Sequence, residues 1–216
     1  MNKIALVSVT LNAVNPMVEC FRDKMPNAII HNYLDSYLLE KVRANGGISD
    51  SSMRRMFDMV SQACYDGADA VLITCTIFSP YATQFSELLS KPIICPDKAM
   101  LESVAARPGR TAIICTFPGT VETTRGMYLD CCNRLGIDSS VDMIVVEEAY
   151  LAANHSDFET HDRVIRNKVA QIDAQYENIV FAQISMARAA KGLSTKHATV
   201  FTSPESACAT VARLLN

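Results

Sequence analysis

Short runs rich in valine and isoleucine punctuate the chain at Ile4–Val9, Ala28–Asn32, Ala70–Cys75, Pro92–Cys95, Thr111–Cys115, Met143–Val146, Ile179–Gln183 and Ala198–Phe201. Longer stretches of helical periodicity separate them. Parallel strands need crossover connections, usually helical, so this alternation predicts an α/β architecture of mainly parallel sheets flanked by helices. The clearest helix is predicted over Asp50 to Tyr65, where Met53, Met56, Phe57, Val60 and Cys64 recur at helical spacing on one face. That stripe reads as core. Gly46 and Gly47 are expected to close the preceding helix and Ser49 to cap this one.

The 216 residues are 49% hydrophobic and 20% charged, which excludes a disordered chain and leaves room for one large core or two lobes. Twenty basic against 23 acidic residues, a net charge of -3, lack the basic excess that nucleic-acid or anionic-membrane binding shows. The opening apolar run is too short for a signal core, and no stretch approaches the roughly 18 residues of a membrane span. The eight cysteines show no CxxC spacing and mostly sit in apolar segments, so they read as free thiols in a reducing cytoplasm.

Two pairs of segments point to an internal duplication. Asp69 to Thr76 resembles Glu177 to Ile184, matching Cys75 to Gln183 at an offset of 108, and the strand ending at Thr10 matches that ending at Thr116 at an offset of 106. In open parallel sheets ligands bind at the carboxyl ends of the strands, where these polar residues fall. Cys75, where a buried strand meets a helix start, is the best reactive-thiol candidate: backbone N–H groups there are expected to lower its pKa below about 8.5. Thr116-Phe-Pro-Gly119-Thr120 is a second strand-to-helix junction of the same kind, with ordinary turn and capping chemistry as its alternative.

At these residues the sequence resembles the aspartate/glutamate/hydantoin racemase superfamily. The likeness runs through Thr10, Asn12 and Pro16, His31 to Asp35, Gly67 to Cys75, Pro96 to Met100, Thr116 and Thr120, His161-Asp162, and Ala182 to Arg188. The resemblance implies two pseudo-symmetric α/β lobes with an active-site cleft between them. The expected boundaries are 1–96 plus 194–216 for the first lobe and 97–193 for the second. It also implies a cofactor-independent isomerase acting on a small carboxylate, with one cysteine from each lobe serving one face of the carbon next to the carboxylate. By that match Cys75 is the first-lobe cysteine; Thr76, Thr116 and Thr120 belong to the carboxylate-binding shell; Thr10 and Asn12 line the cleft. Dimers are common among such enzymes, so a homodimer is an expectation without an assigned interface.

The chain departs from the family at one point. Gln183 stands where the second-lobe cysteine is expected, with Ser185 two residues on. Glutamine does not titrate, and a serine hydroxyl is a far weaker acid than a thiol unless a base activates it. A single thiol suits the superfamily's arylmalonate decarboxylase branch, which protonates an enediolate on one face, and a chain that has lost catalysis would bind a carboxylate without turnover. Cys115 and Cys208 lie outside the motif.

Asn154 to Asp162 holds two histidines and three acids, but His155 and His161 are not one helical turn apart, so no metal is expected. Ser156 followed by Glu159 reads as a capping box. His161 is a candidate polar contact or proton shuttle, and Arg188 a candidate carboxylate partner. His31 and His197 have no sequence partners. Without GxGxxG, P-loop or GxSxG motifs, nucleotide-binding and serine-hydrolase readings lose their support.

Overall fold

The computed structural model describes residues 1–138 and 140–215. The chain divides into two compact units, Met1–Asp97 with Pro204–Asn216, and Lys98–Ser203. In the first, β1 (Lys3–Ser8), α1 (Leu11–Lys24), β2 (Ile29–Leu34), α2 (Ser36–Ala44), α3 (Asp50–Tyr65), β3 (Ala70–Ile73), α4 (Ala82–Leu89) and β4 (Ile93–Ile94) follow in order. The strands form an all-parallel sheet of order β2-β1-β3-β4. Central β1 and β3 are buried nearly throughout, whereas β2, at the sheet edge, is half exposed. That contrast is why β1 and β3 read as continuous apolar runs.

The second unit carries α5 (Pro96–Ala105), β5 (Thr111–Cys115), α6 (Val121–Leu135), β6 (Val141–Val145), α7 (Glu147–Asn154), α8 (Phe158–Ile172), β7 (Asn178–Phe181), α9 (Ala187–Ala190) and β8 (Thr199–Phe201). Its sheet is again parallel, of order β6-β5-β7-β8. The strand period of two assigns each residue to a face. Ala112, Ile114, Ile179 and Phe181 pack with Ile165 and Val169 of α8, while Ile113, Cys115, Val180 and Ala182 pack with Leu101 and Val104 of α5 and Tyr128 of α6. A last helix, α10 (Ser203–Leu215), belongs with the first unit. Because β8 pairs with β7, the stretch 194–203, expected in the first lobe, lies in the second unit.

All eight strands lie where the sequence pattern places them, and α3 spans the predicted residues. Its buried line is Ser52, Met56, Val60 and Ala63, so Met53, Phe57 and Cys64 flank the core stripe instead of filling it. Ser49 and Ser52 form a capping box at its start. After α2, Gly46 adopts the left-handed φ of 68° expected of a glycine closing a helix. The Ser156–Glu159 box does not form. Ser156 has φ 59°, incompatible with an N-cap, and Asp157 caps α8 by accepting from Thr160 N at 3.0 Å.

Candidate active site

In the first unit the chain leaves β3 through Thr74, whose N–H donates to Val7 O at 2.9 Å and whose hydroxyl donates to Ser8 Oγ at 2.8 Å. Cys75 follows in extended conformation and starts a 3₁₀ turn over Thr76–Tyr81, its carbonyl accepting from Phe78 N at 3.0 Å. Cys75, Thr76 and Ser79 are all buried. Burial pushes the Cys75 thiol up to about 12, and the backbone hydrogen bonds of Ile77 and Phe78 pull it down without outweighing that cost. The expectation of a lowered thiol pKa is therefore reversed: desolvation of the thiolate dominates over the turn's N–H groups. Thr10 is the extended N-cap residue of α1 and makes no side-chain cap bond, and Asn12 sits half-buried in the first turn.

The second unit repeats the arrangement with other residues. Gln183, two residues beyond β7, is extended and starts a 3₁₀ turn over Ile184–Met186, with Met186 N donating to its carbonyl at 3.0 Å. Strand register makes the correspondence independent of sequence likeness. Ile73 pairs with Val7 and Phe181 with Ile114; Thr74 N bonds Val7 O, and Ala182 N bonds Ile114 O at 3.0 Å. Cys75 and Gln183 thus occupy the same place in two identical strand orders. The same register corresponds Val7 to Ile114, so Thr10 answers to Phe117 and Thr116 to Val9. The sequence offset of 106 slips by one because it matches threonines instead of paired backbone.

Gln183 spans the junction expected to bind an anion. Thr116 N–H donates to its Oε1 at 2.9 Å, its Nε2 donates to Thr120 Oγ1 at 3.1 Å, and that hydroxyl donates to Phe117 O at 2.7 Å. Thr116 and Thr120 are buried. Ser185 is half-buried within the following turn.

His161 lies on the buried face of α8, 1% exposed, with Nδ1 2.8 Å from Asp162 Oδ1. Arg188 of α9 holds both oxygens of that carboxylate, Nε to Oδ2 at 2.8 Å and Nη2 to Oδ1 at 3.0 Å. Burial pushes Asp162 up, but its bonds to Arg188 and His161 prevail and hold it below the usual carboxylate range. Burial, with the nearby Arg188 charge, lowers His161 against the upward pull of Asp162. Arg188, predicted as a ligand partner, is thus engaged within the protein. The proximity of Thr74 to Ser8 and of Asp162 to Arg188 escaped the sequence reading; hydroxyls inside apolar strands and the His-Asp dipeptide were the available signals. His155 Nδ1 meets Leu151 O at 2.9 Å and His197 faces Glu177 at 3.4 Å, both on the surface. Among the described residues no three His, Cys, Asp or Glu side chains group as metal ligands, and no helix is long and apolar enough to cross a membrane.

Two parallel four-stranded sheets of one strand order, each with a polar junction at the end of its third strand, define a duplicated α/β protein. The chain matches the Asp/Glu/Hydantoin racemase family over residues 7–211 and belongs to it. Among solved structures it is similar to the aspartate racemase of Picrophilus torridus, with a TM-score of 0.77 and 10% identity over 99% of this chain and 94% of that one. It is similar to glutamate racemase isoform RacE1 of Bacillus anthracis (TM-score 0.74, 13% identity, 99% and 81% of the chains). Allantoin racemase of Klebsiella pneumoniae matches with a TM-score of 0.71 and 14% identity over 100% of this chain and 88% of that one. Among proteins with curated descriptions, none matches the sequence.

Proposed function

We propose that the protein is a cofactor-independent isomerase of the racemase type. It acts at the carbon next to the carboxylate of a small acid, with Cys75 as its reactive thiol. The observation that carries this reading is the register correspondence of Cys75 with Gln183 in a chain of this family. One place holds a group that transfers protons or forms a covalent bond, and its counterpart holds one that does neither. Thr10, Asn12, Thr76, Thr116 and Thr120 are assigned to the carboxylate. Ser185, beside Gln183, is a candidate hydroxyl donor.

A thiol pushed up to about 12 is protonated at neutral pH, which suits it to donate a proton and not to abstract one. That observation favours, as a second reading, single-thiol protonation of an enediolate after decarboxylation. Incubation in deuterated water with small amino and hydroxy acids, hydantoins and malonates, followed by NMR, separates the cases. Exchange or racemisation lost in Cys75→Ala supports the isomerase; carbon dioxide release from malonates lost in the same variant supports the decarboxylase. Thermal stabilisation by a carboxylate that is never converted would leave only a binding protein.

A further inference from the structure

We infer that Cys20 and Cys208 form a reversible disulfide that fastens the C-terminal helix α10 to α1, with hydrogen peroxide as its oxidant. The inference is independent of the reaction proposed above and concerns the first unit alone. It assigns a modification site to two of the chain's eight free thiols.

The two thiols are far apart in sequence and the fold joins them. Cys20 lies near the end of α1, beside buried Phe21, and Cys208 lies in the middle of α10 on the buried face that carries Ala207 and Val211. Their side chains hydrogen-bond to each other, and the charges of Lys24 on α1 and Glu205 on α10 act on both. Folding has already brought the sulfurs into contact, so forming the bond needs no search through the long loop between them. Access is one-sided. Cys20 is half-buried and open to a small oxidant, whereas Cys208 is fully buried.

The pair is also unequal in acidity. The hydrogen bond from Cys208 lowers Cys20 against the opposing effects of burial and the Glu205 charge, and the same bond, together with burial, pushes Cys208 up. The more accessible sulfur is therefore the one that ionises, and the thiolate is the reactive form. It attacks one peroxide oxygen: the O–O bond breaks, an S–O bond forms, and the second oxygen leaves as hydroxide, which becomes water on taking up the proton that Cys20 lost. The sulfur of Cys208 then attacks the resulting sulfenic acid; the S–S bond forms, the S–O bond breaks, and the departing hydroxide takes the Cys208 proton as a second water. Two thiols are oxidised by two electrons and the peroxide is reduced to two waters. A dithiol reverses the bond by exchange. Cys64, Cys75 and Cys131, pushed up mainly by burial, stay protonated at neutral pH and lack this reactivity.

Full-length protein reduced with dithiothreitol, freed of it and treated with hydrogen peroxide at neutral pH tests this. After quenching and digestion without reductant, mass spectrometry should find the peptides of Cys20 and Cys208 joined, two hydrogens lighter than the reduced pair. Cys75 should still be alkylated once the chain is unfolded. The cross-linked protein should unfold at a higher urea midpoint with a smaller slope, both reversed by dithiothreitol, because a bond that closes most of the chain into a loop restricts the unfolded state. Cys20→Ser, a change at a half-buried position, should lose the cross-link and the midpoint shift together. In Cys208→Ala the sulfenic acid on Cys20 has no thiol to resolve it, so dimedone should trap it there. Cys20 oxidised to sulfinic acid without a cross-link, Cys20 joined to another cysteine, or both thiols left reduced while Cys75 reacts overturns the inference. None of these readouts uses turnover, so their failure leaves the proposed function standing.

Discussion

Cys75 shows how one residue's chemistry depends on its surroundings. A thiol is ordinarily half ionised near pH 9, but burial at the β3 junction raises it to about 12. The sign of the resulting pH dependence follows from which state ionises first. Below about 9 both folded and unfolded chains hold the proton, and the contribution is fully present. Between about 9 and 12 only the unfolded chain releases it, so stability is lost as pH rises. Urea titrations across that range should show a steeper alkaline loss for the wild type than for Cys75→Ala. Equal slopes would mean that the thiol is more hydrated than its burial implies.

Gln183 is the complementary case. Its identity was legible as a departure from the family pattern, but its two hydrogen bonds reach Thr116 and Thr120, 67 and 63 residues away. No local pattern contains that information. His161 was legible as a polar contact or shuttle, and the pairing of Asp162 with Arg188, 26 residues apart, was not.

Among elements, α3 was the most readable because its 16 residues repeat a helical period and begin at a serine. The capping box there satisfies backbone N–H groups that the first turn leaves unpaired, with Ser52 N donating to Ser49 Oγ and Ser49 N to Ser52 Oγ at 2.8 Å. Ser49→Ala should cost about 1 kcal/mol of stability, read as a lower urea midpoint at unchanged slope. The start of α8 misled the pattern reading because Ser156 and Asp157 are both competent caps by composition. Only the backbone conformation chose between them: a serine at φ 59° cannot present the extended geometry an N-cap requires.

For the whole molecule the decisive feature is that the first unit is discontinuous, closed by α10 from the far end of the chain. Ala207, Cys208 and Val211 are fully or almost fully buried, so removing residues 204–216 strips an apolar face from that unit. Val211 alone accounts for roughly 1.5–3 kcal/mol on transfer from water, a large part of a domain's total of about 5–15 kcal/mol. The truncated chain should unfold at lower denaturant and bind more of a hydrophobic dye than the full chain. An unchanged midpoint would show that α10 is dispensable to the core.

Strand and helix order, the parallel α/β class, the duplication and the position of Cys75 were all determined by the sequence alone. The elements rest on periodicities read over a few residues, which hydrophobic burial enforces directly, and the duplication on short segments that repeat at a nearly constant offset. Tertiary structure decided the rest: the unit to which β8 belongs, the one-residue slip between Thr10 and Thr116, the bonds that tie down Gln183, the bonds of Asp162 to His161 and Arg188, and the upward shift of Cys75. Those properties depend on strand register, desolvation and hydrogen bonds between residues brought together from distant parts of the chain, and such neighbours exist only once the chain has folded.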